Sequence, residues 1–390
     1  MKILILLSRV PYPTEKGDKL RAFNHIVHLS KNNELILCAL NNTVLHPEAL
    51  QKLQPYCSQI HIFQLRWWEV LTGLIWAFLT GKPMQVGYFY NLFTRRKVRE
   101  LVRTTAPDHI FCQLLRTAEY VRNIKKPKTL DYQDVFSAGY KRMAEQSNFF
   151  NKFFLLFESR RLVHYERSVF KDFDNKTIIS LPDRDLIHHP AREEIAVIPN
   201  GVDFEYFSPV QQKKEIDIVF TGNMHYPPNV DAACFLVKDI LPFVRKTHSG
   251  VTVMLSGANP HSRILSLRSE YVFVSGWVDD MRTSYANARI FIAPMQIGTG
   301  LQNKLLEAMA MGLPCITSPL ANSALGAAEG TEILVGHTPE EYAAHITRLL
   351  DDEAFAATIA TAGRQFVLRT YDWHETTLLL HQLMLRSKKG

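Results

Sequence analysis

The sequence predicts an α/β protein of two doubly wound, Rossmann-like domains, each built on a parallel sheet. Three observations lead there. Short apolar runs alternate with helix-like stretches through the first half of the chain. A segment rich in Asn, Gly and Pro interrupts the pattern near residue 200, and a second alternating series starts straight after it. The length of 390 residues suits two domains.

The first run, Lys2-Ile-Leu-Ile-Leu-Leu7, is continuously apolar, as expected of a strand covered on both faces. It is too short for a secretory leader with its cleavage site, and Arg9, Pro11 and Pro13 end it. Further strands are expected at 34–40, 59–65, 109–113, 128–132, 176–181 and 195–198, with helices at 19–29, 47–56 and 94–104. The boundary segment is Ile198-Pro-Asn-Gly-Val-Asp-Phe-Glu-Tyr-Phe-Ser-Pro209. Beyond it, strands are expected at 217–221, 251–256, 272–275, 290–294, 314–317 and 332–335, with helices at 230–247 and 301–311. The last segment, 353–389, reads as helical with a break at Tyr371-Asp-Trp373, where Asp372 is a candidate N-cap. A final helix returning to the first domain would supply a second connection. The expected divisions are therefore 1–200, 201–365 and a crossing helix at 366–390.

Composition narrows the function classes. Hydrophobic residues at 46% and charged residues at 21% supply full cores and argue against disorder. The net charge of +7 suits an anionic partner such as nucleotide phosphates, lipid phosphates or a membrane surface, and equally suits a mildly basic soluble protein. No nucleic-acid-binding motif is present. The five cysteines form no CxxC pair, and Cys38, Cys112 and Cys315 fall inside apolar strand-like runs. They read as buried thiols of a reducing, cytoplasmic compartment, not as disulfides or a zinc site. Apart from the first strand, the longest apolar run lies near 70–79, short of the roughly 20 residues that span a bilayer.

The clearest chemical signal follows the strand expected at 290–294. A glycine-bearing loop, Gly298-Thr-Gly300, leads into a helix opening at about Leu301. Ligands of open α/β sheets bind outside the carboxyl ends of strands, and a helix N-terminus with nearby glycines favours phosphate. Lys304 adds a cation in the first turn. Glu307 lies one turn on, on the same side as Lys304 and Asn303, where it could accept hydrogen bonds from ribose hydroxyls. The plainer alternative is an ordinary βα unit whose Lys and Glu face solvent.

At this point the chain resembles the large retaining glycosyltransferase family with the GT-B fold, which includes bacterial mannosyltransferases and sucrose synthases. It looks closest to the exopolysaccharide and exosortase (PEP-CTERM) branch. The matching pieces are Lys16-Gly-Asp-Lys-Leu-Arg21, Asn200-Gly-Val-Asp203, Phe220-Thr-Gly-Asn-Met-His-Tyr-Pro-Pro-Asn-Val-Asp231, Gly276-Trp-Val-Asp279 and Gln302-Asn-Lys-Leu-Leu-Glu-Ala-Met-Ala-Met-Gly312, in family order. The resemblance implies two Rossmann-like domains facing a cleft, with a nucleotide-sugar on the second and a glycan or lipid-linked acceptor on the first. It implies that Glu307 holds the donor ribose, that Lys304 and the backbone near Gly300 and Leu301 face the diphosphate or sugar, and that Gly276 and Val278 flank the base. Glu307 and Lys304 are the catalytic candidates. Asn303, Gly222 and, in the first domain, Gly17 and Arg21 complete the donor-binding set, Arg21 by pairing with phosphate. No metal or other cofactor is called for.

Departures from the family pattern also carry information. Thr299 stands where a glutamate commonly contacts the donor sugar, so the sugar stays open. No histidine follows the fourth strand, which ends in Cys112-Gln-Leu-Leu-Arg116. His225 is the remaining histidine candidate for catalysis, against a purely structural role. Asp183-Arg-Asp185 has the form of a metal-binding DxD but is read as a solvated turn. The stretch 65–81 carries Trp67, Trp68, Trp76 and Phe78 beside Arg66, Lys82, Arg95 and Arg96. It fits either a bilayer interface on the cytoplasmic face or a core helix. The expected function is sugar transfer, with retention, in polysaccharide or cell-envelope glycan synthesis. The rivals are a sugar-nucleotide epimerase and a non-catalytic carbohydrate- or membrane-binding scaffold.

Overall fold

The computed structural model describes residues 1–145, 147–297 and 300–387, so Gly298 and Thr299 lie outside the described residues. The chain forms two compact units, one of Met1–Pro199 with Trp373–Gly390 and one of Asn200–Asp372. Each is a parallel sheet covered by helices.

In the first unit the strands are β1 (Lys2–Leu7), β2 (Glu34–Asn41), β3 (Gln59–Gln64), β4 (His109–Gln113), β5 (Lys128–Asp131), β6 (Asn175–Ile178) and β7 (Ala196–Val197), in the spatial order β3-β2-β1-β4-β5-β6-β7. Side chains of a strand alternate between faces, so the continuous apolar run of β1 serves two cores at once. Ile3, Ile5 and Leu7 point to one, together with Leu35, Leu37 and Ala39 of β2. Leu4 and Leu6 point to the other, with Ile36, Cys38 and Leu40. The final helix, Trp373–Arg386, buries Leu380 and Met384 in the first of these cores, and His25 of the helix Gly17–Ser30 meets Thr377 at 2.9 Å.

In the second unit the strands are β8 (Ile216–Thr221), β9 (Val253–Ser256), β10 (Val272–Gly276), β11 (Ala288–Ala293), β12 (Cys315–Thr317) and β13 (Leu334–Val335), ordered β10-β9-β8-β11-β12-β13. Both sheets reverse their direction of winding once, at β1/β4 and at β8/β11. Such reversals open a crevice at the carboxyl ends of the two flanking strands. The helix expected at 230–247 runs without interruption over 227–244, widening to a π-helical turn at Leu236–Ile240. Pro242 has no N–H to return to the preceding turn, which accounts for the widening.

Two readings are corrected. Asp183-Arg-Asp185 is not a solvated turn. It lies in the helix Leu181–Leu186, where Asp183 is buried against the capping Ser180 hydroxyl at 2.5 Å. The Trp-rich stretch is not a core helix. Trp67–Leu79 buries only Gly73 and Ala77, while Trp67, Trp68, Leu71, Ile75, Phe78 and Leu79 are exposed. Gly73 crosses the helix Met84–Phe89 so closely that an added Cβ would stand 2.2 Å from the Gly87 carbonyl oxygen. Among the described residues no helix is long and apolar enough to cross a membrane.

Candidate functional site

The β8/β11 reversal gathers most of the residues nominated from sequence. β8 ends at Thr221, and Gly222 follows with φ +149. Its amide donates to the Ser256 carbonyl at 3.0 Å. The end of β9 presses in so tightly that a Cβ on Gly257 would lie 1.7 Å from the Gly222 oxygen. Only glycines allow this approach. After β11, Gly300 and Leu301 precede the helix Asn303–Ala310, which starts two residues later than the expected 301. Gln302 makes no side-chain cap, so the first amides of the helix have no side-chain acceptor there.

Lys304, in the first turn, reaches back to β8. Its Nζ donates to Asn229 Oδ1 at 2.5 Å and lies 4.6 Å over the Phe220 ring. A Cβ on Gly222 would come within 3.2 Å of that nitrogen, so the missing side chain keeps the cation approachable. Asn229 is itself fixed, donating from Nδ2 to the Asn223 carbonyl at 3.0 Å. The partners of Lys304 are neutral. Burial pulls its pKa down to about 7, opposed only in part by the Glu307 carboxylate.

Glu307, one turn further, accepts from the Tyr285 hydroxyl at 2.7 Å. Tyr285 O also meets Thr221 Oγ1 at 2.9 Å. The single phenolic proton goes to the carboxylate, so Thr221 donates to Tyr285 and a relay runs from the end of β8 to Glu307. Burial keeps Tyr285 far above the usual tyrosine range, with Glu307 adding to the effect, and it remains a donor. Burial likewise raises Glu307, while Tyr285 and Lys304 pull it back. Both Lys304 and Glu307 are half-buried, each keeping a strip of accessible surface.

Asn303 accepts from Asn200 Nδ2 at 3.1 Å, which ties the helix start to the beginning of the unit. Gly276 ends β10 with φ +74 and accepts from the Gly257 amide at 3.2 Å. Val278 lines an open depression of about 520 Å³ with Met254, Ser275 and Ser284. That depression also reaches Ile216 and Asn287, at the amino ends of β8 and β11. His225 is exposed, its ring 5.5 Å from His261, and it joins no hydrogen bond with Lys304 or Glu307 among the described residues. In the first unit, Gly17 opens the helix Gly17–Ser30 with open space where a Cβ would stand.

Arg21 is a correction. Its side chain has no solvent exposure and forms an ion pair with Asp131 at 2.7 Å, with a further bond to the Pro199 carbonyl at 3.1 Å. A guanidinium already neutralised inside the unit is not offered to a phosphate. Sequence reasoning also missed Asn229 and Tyr285. Asn229 lies inside the quoted stretch 220–231, so its signal was present; nothing in the sequence singles out Tyr285.

Comparison with known proteins adds the following. Residues 215–352, which hold Gly222, Asn229, Tyr285, Lys304 and Glu307, match the family described as glycosyl transferases group 1. A Klebsiella pneumoniae protein described as an uncharacterized 44.6 kDa protein in the cps region is 20% identical over 397 residues, covering 95% of this chain and 96% of its own. Glycogen synthase of Mycobacterium tuberculosis is 24% identical over 214 residues, 52% of this chain and 50% of that enzyme. Among solved structures, sucrose-phosphate synthase from Thermosynechococcus elongatus superposes with a TM-score of 0.70 at 14% identity, over 99% of each chain. Anabaena HepE in complex with UDP superposes with a TM-score of 0.68 at 15% identity, over 99% of this chain and 100% of its own. These likenesses show a GT-B fold of two Rossmann-like domains.

Proposed function

We propose that this chain, whose residues 215–352 match the family of group 1 glycosyl transferases, moves a sugar from a nucleotide-sugar to a glycan or lipid-linked acceptor with retention of anomeric configuration. The observation that carries the reading is the joint placement of Lys304, Glu307 and Gly222 at the β8/β11 reversal. Glu307, aligned by Tyr285, accepts from the ribose hydroxyls. Lys304 and the amides at the start of the helix Asn303–Ala310 face the diphosphate. That HepE was solved with UDP and with UDP-glucose supports testing a uridine donor first.

The chemistry follows from charge. As the bond between the anomeric carbon and the phosphate oxygen breaks, negative charge grows on the departing diphosphate. A prearranged cation and amides stabilise it. The acceptor oxygen bonds to the anomeric carbon on the face that the leaving group vacates. Its proton passes to the leaving phosphate oxygen, so no side-chain base is required and His225 is left outside the reaction. Full-length likeness to a protein of a cps region is in keeping with polysaccharide synthesis.

Titration with UDP-, GDP- and ADP-sugars, read as melting temperature and heat, tests the reading. One of them stabilises the wild type, and Glu307→Ala weakens it at least about tenfold. No response to any nucleotide-sugar, or unchanged affinity in Glu307→Ala, would sink the assignment. An epimerase would interconvert the sugar-nucleotide without acceptor, which the transferase reading forbids.

The acceptor side points to a membrane surface. Besides the exposed face of Trp67–Leu79, the helix Phe149–Val169 exposes Phe149, Phe153, Phe154 and Phe157. Arg161 joins the two helices through the Ala77 carbonyl at 2.5 Å, with its guanidinium 5.4 Å over the Phe157 ring. Arg66 caps the first of these helices, and Arg95 and Arg96 lie on the helix Leu92–Thr105. Aromatic and aliphatic side chains ringed by cations match the interface of an anionic bilayer. In a flotation assay with phosphatidylglycerol vesicles, Leu71→Glu with Phe153→Glu releases the protein while nucleotide-sugar affinity stays constant. Equal flotation of that variant would refute the contact.

A further inference from the structure

The carboxyl edge of the first sheet holds a cation that donor binding leaves unused. Arg116 follows β4, at the β1/β4 reversal, and is 9% exposed. Its guanidinium carbon lies over the Phe89 ring at 4.9 Å and the Phe136 ring at 5.0 Å. Its Nε and Nη1 are shut off from solvent and have no hydrogen-bond partner. Among the described residues no carboxylate forms an ion pair with it. The carboxylate in its neighbourhood, Asp18, is held by Arg9 at 3.0 Å. The contrast with Arg21 is direct, because that equally enclosed guanidinium has Asp131 at 2.7 Å.

A second unsatisfied donor stands at the next strand end. Gln133, just beyond β5, is 5% exposed, and its Nε2 is buried without a partner. β4 and β5 are paired, with Gln113 opposite Asp131, so the two donors belong to adjacent strand ends. Gln113 in turn donates to the Asp18 carbonyl at 3.0 Å, which fixes the amino end of the helix Gly17–Ser30 beside them. Buried donors in folded proteins are nearly always satisfied, and an enclosed cation without a counter-charge is costly. Burial depresses Arg116 to about 10, with Arg9 acting in the same direction. The edge is thus positive, enclosed and short of acceptors.

We infer that Arg116 and Gln133, beside the amino end of the helix Gly17–Ser30, form a subsite of the first unit for an oxyanion, a phosphate or carboxylate carried by the acceptor. The planar fork of an arginine suits such groups bidentately, and an amide N–H₂ adds a directional donor. The origin of the oxyanion in an acceptor rests on the transferase reading; the subsite itself rests on the unsatisfied donors.

The probe is inorganic phosphate against chloride at matched ionic strength, with the full chain and melting temperature as readout. Wild type and Lys304→Met both gain stability with phosphate, because Lys304→Met removes only binding in the second unit. Arg116→Met loses the gain, with phosphate affinity down at least about tenfold. Without phosphate, Arg116→Met melts at or above the wild type, since an unpaired enclosed charge has been replaced by an apolar side chain. UDP-glucose affinity is unchanged by Arg116→Met. If wild type does not respond to phosphate, if Arg116→Met responds like wild type, or if Arg116→Met loses UDP-glucose affinity as well, the acceptor subsite is refuted. If UDP-glucose fails to bind the wild type, the donor reading falls while the phosphate comparison still stands. Arg116→Gln, tested the same way, replaces Arg116→Met should the latter not melt cooperatively.

Discussion

Raising the pH should loosen the nucleotide-sugar while leaving the protein folded, and the cause is a single side chain. Lys304 is enclosed by Asn229, Phe220 and Met295, all neutral, and burial brings its pKa to about 7. The facing titratable group on its own helix is Glu307, whose influence is in the opposite direction. A diphosphate beside Lys304 favours the ammonium, so the binding-competent form is the protonated one. With a pKa of about 7, roughly nine-tenths of the free protein is competent at about pH 6 and roughly one-tenth at about pH 8. The apparent dissociation constant therefore rises about tenfold across that span. UDP-glucose is the proper ligand, because its diphosphate is a diester and does not titrate there. Calorimetry near pH 7 in buffers of different ionisation enthalpy should show uptake of about half a proton per ligand bound. Lys304→Met flattens the profile. The sign for stability is opposite. A lysine whose folded pKa is depressed from 10.5 binds fewer protons than the unfolded chain above about pH 7, so its contribution to apo stability improves as pH rises toward 10.5. A flat affinity profile in the wild type, proton release on binding, or an unchanged slope in Lys304→Met would refute the reasoning.

Tyr285→Phe deletes the donor that aligns Glu307 and strands Thr221; UDP-glucose affinity should fall about tenfold and the melting temperature by a few degrees, as measured by calorimetry and thermal unfolding. Asp131→Asn removes the counter-charge of fully enclosed Arg21; stability to urea should drop by about 3 kcal/mol or more, while UDP-glucose affinity stays at the wild-type value. The two substitutions thus separate a ligand-aligning residue from a fold-holding one.

How much of this was legible in the sequence depends on whether the information was local. β1 and β4 fall where their apolar runs place them, because a strand covered on both faces leaves an uninterrupted signature. Lys304 and Glu307 share a helix and a glycine-bearing approach, so their spacing alone predicts their common side. The helix Phe149–Val169 left no such trace. Its phenylalanines at 149, 153, 154 and 157 face outward, which inverts the usual apolar-inside pattern. Tyr285 reaches Glu307 across 22 positions of sequence, and no periodicity reports a contact of that kind. Arg21 was misjudged for the same reason. Its neutralising partner, Asp131, lies 110 residues away, and only the β1/β4/β5 arrangement brings them together.

On the proposed reading, Arg21, Lys304 and Arg116 are cations drawn out of water and put to opposite tasks. Taking a cation out of water costs several kcal/mol whatever follows. Arg21 recovers that cost within the protein through Asp131, with Thr177 donating to the same carboxylate at 2.9 Å, and the result is a fixed joint between the helix Gly17–Ser30 and β5. Lys304 recovers only part of it, from an amide oxygen and an aromatic face. Because part of its desolvation precedes the ligand, an incoming diphosphate gains the charge interaction while imposing only the remainder of that cost on the lysine. Arg116, covered by two phenylalanine rings and short of acceptors, stands in the same condition in the other unit. If the rule holds, supplying a carboxylate within the protein should abolish ligand response and raise stability together. Asn229→Asp tests this at Lys304: the lysine pKa rises and nucleotide-sugar affinity falls because the diphosphate now competes with a resident anion, while loss of the donor to the Asn223 carbonyl offsets part of the gain in stability.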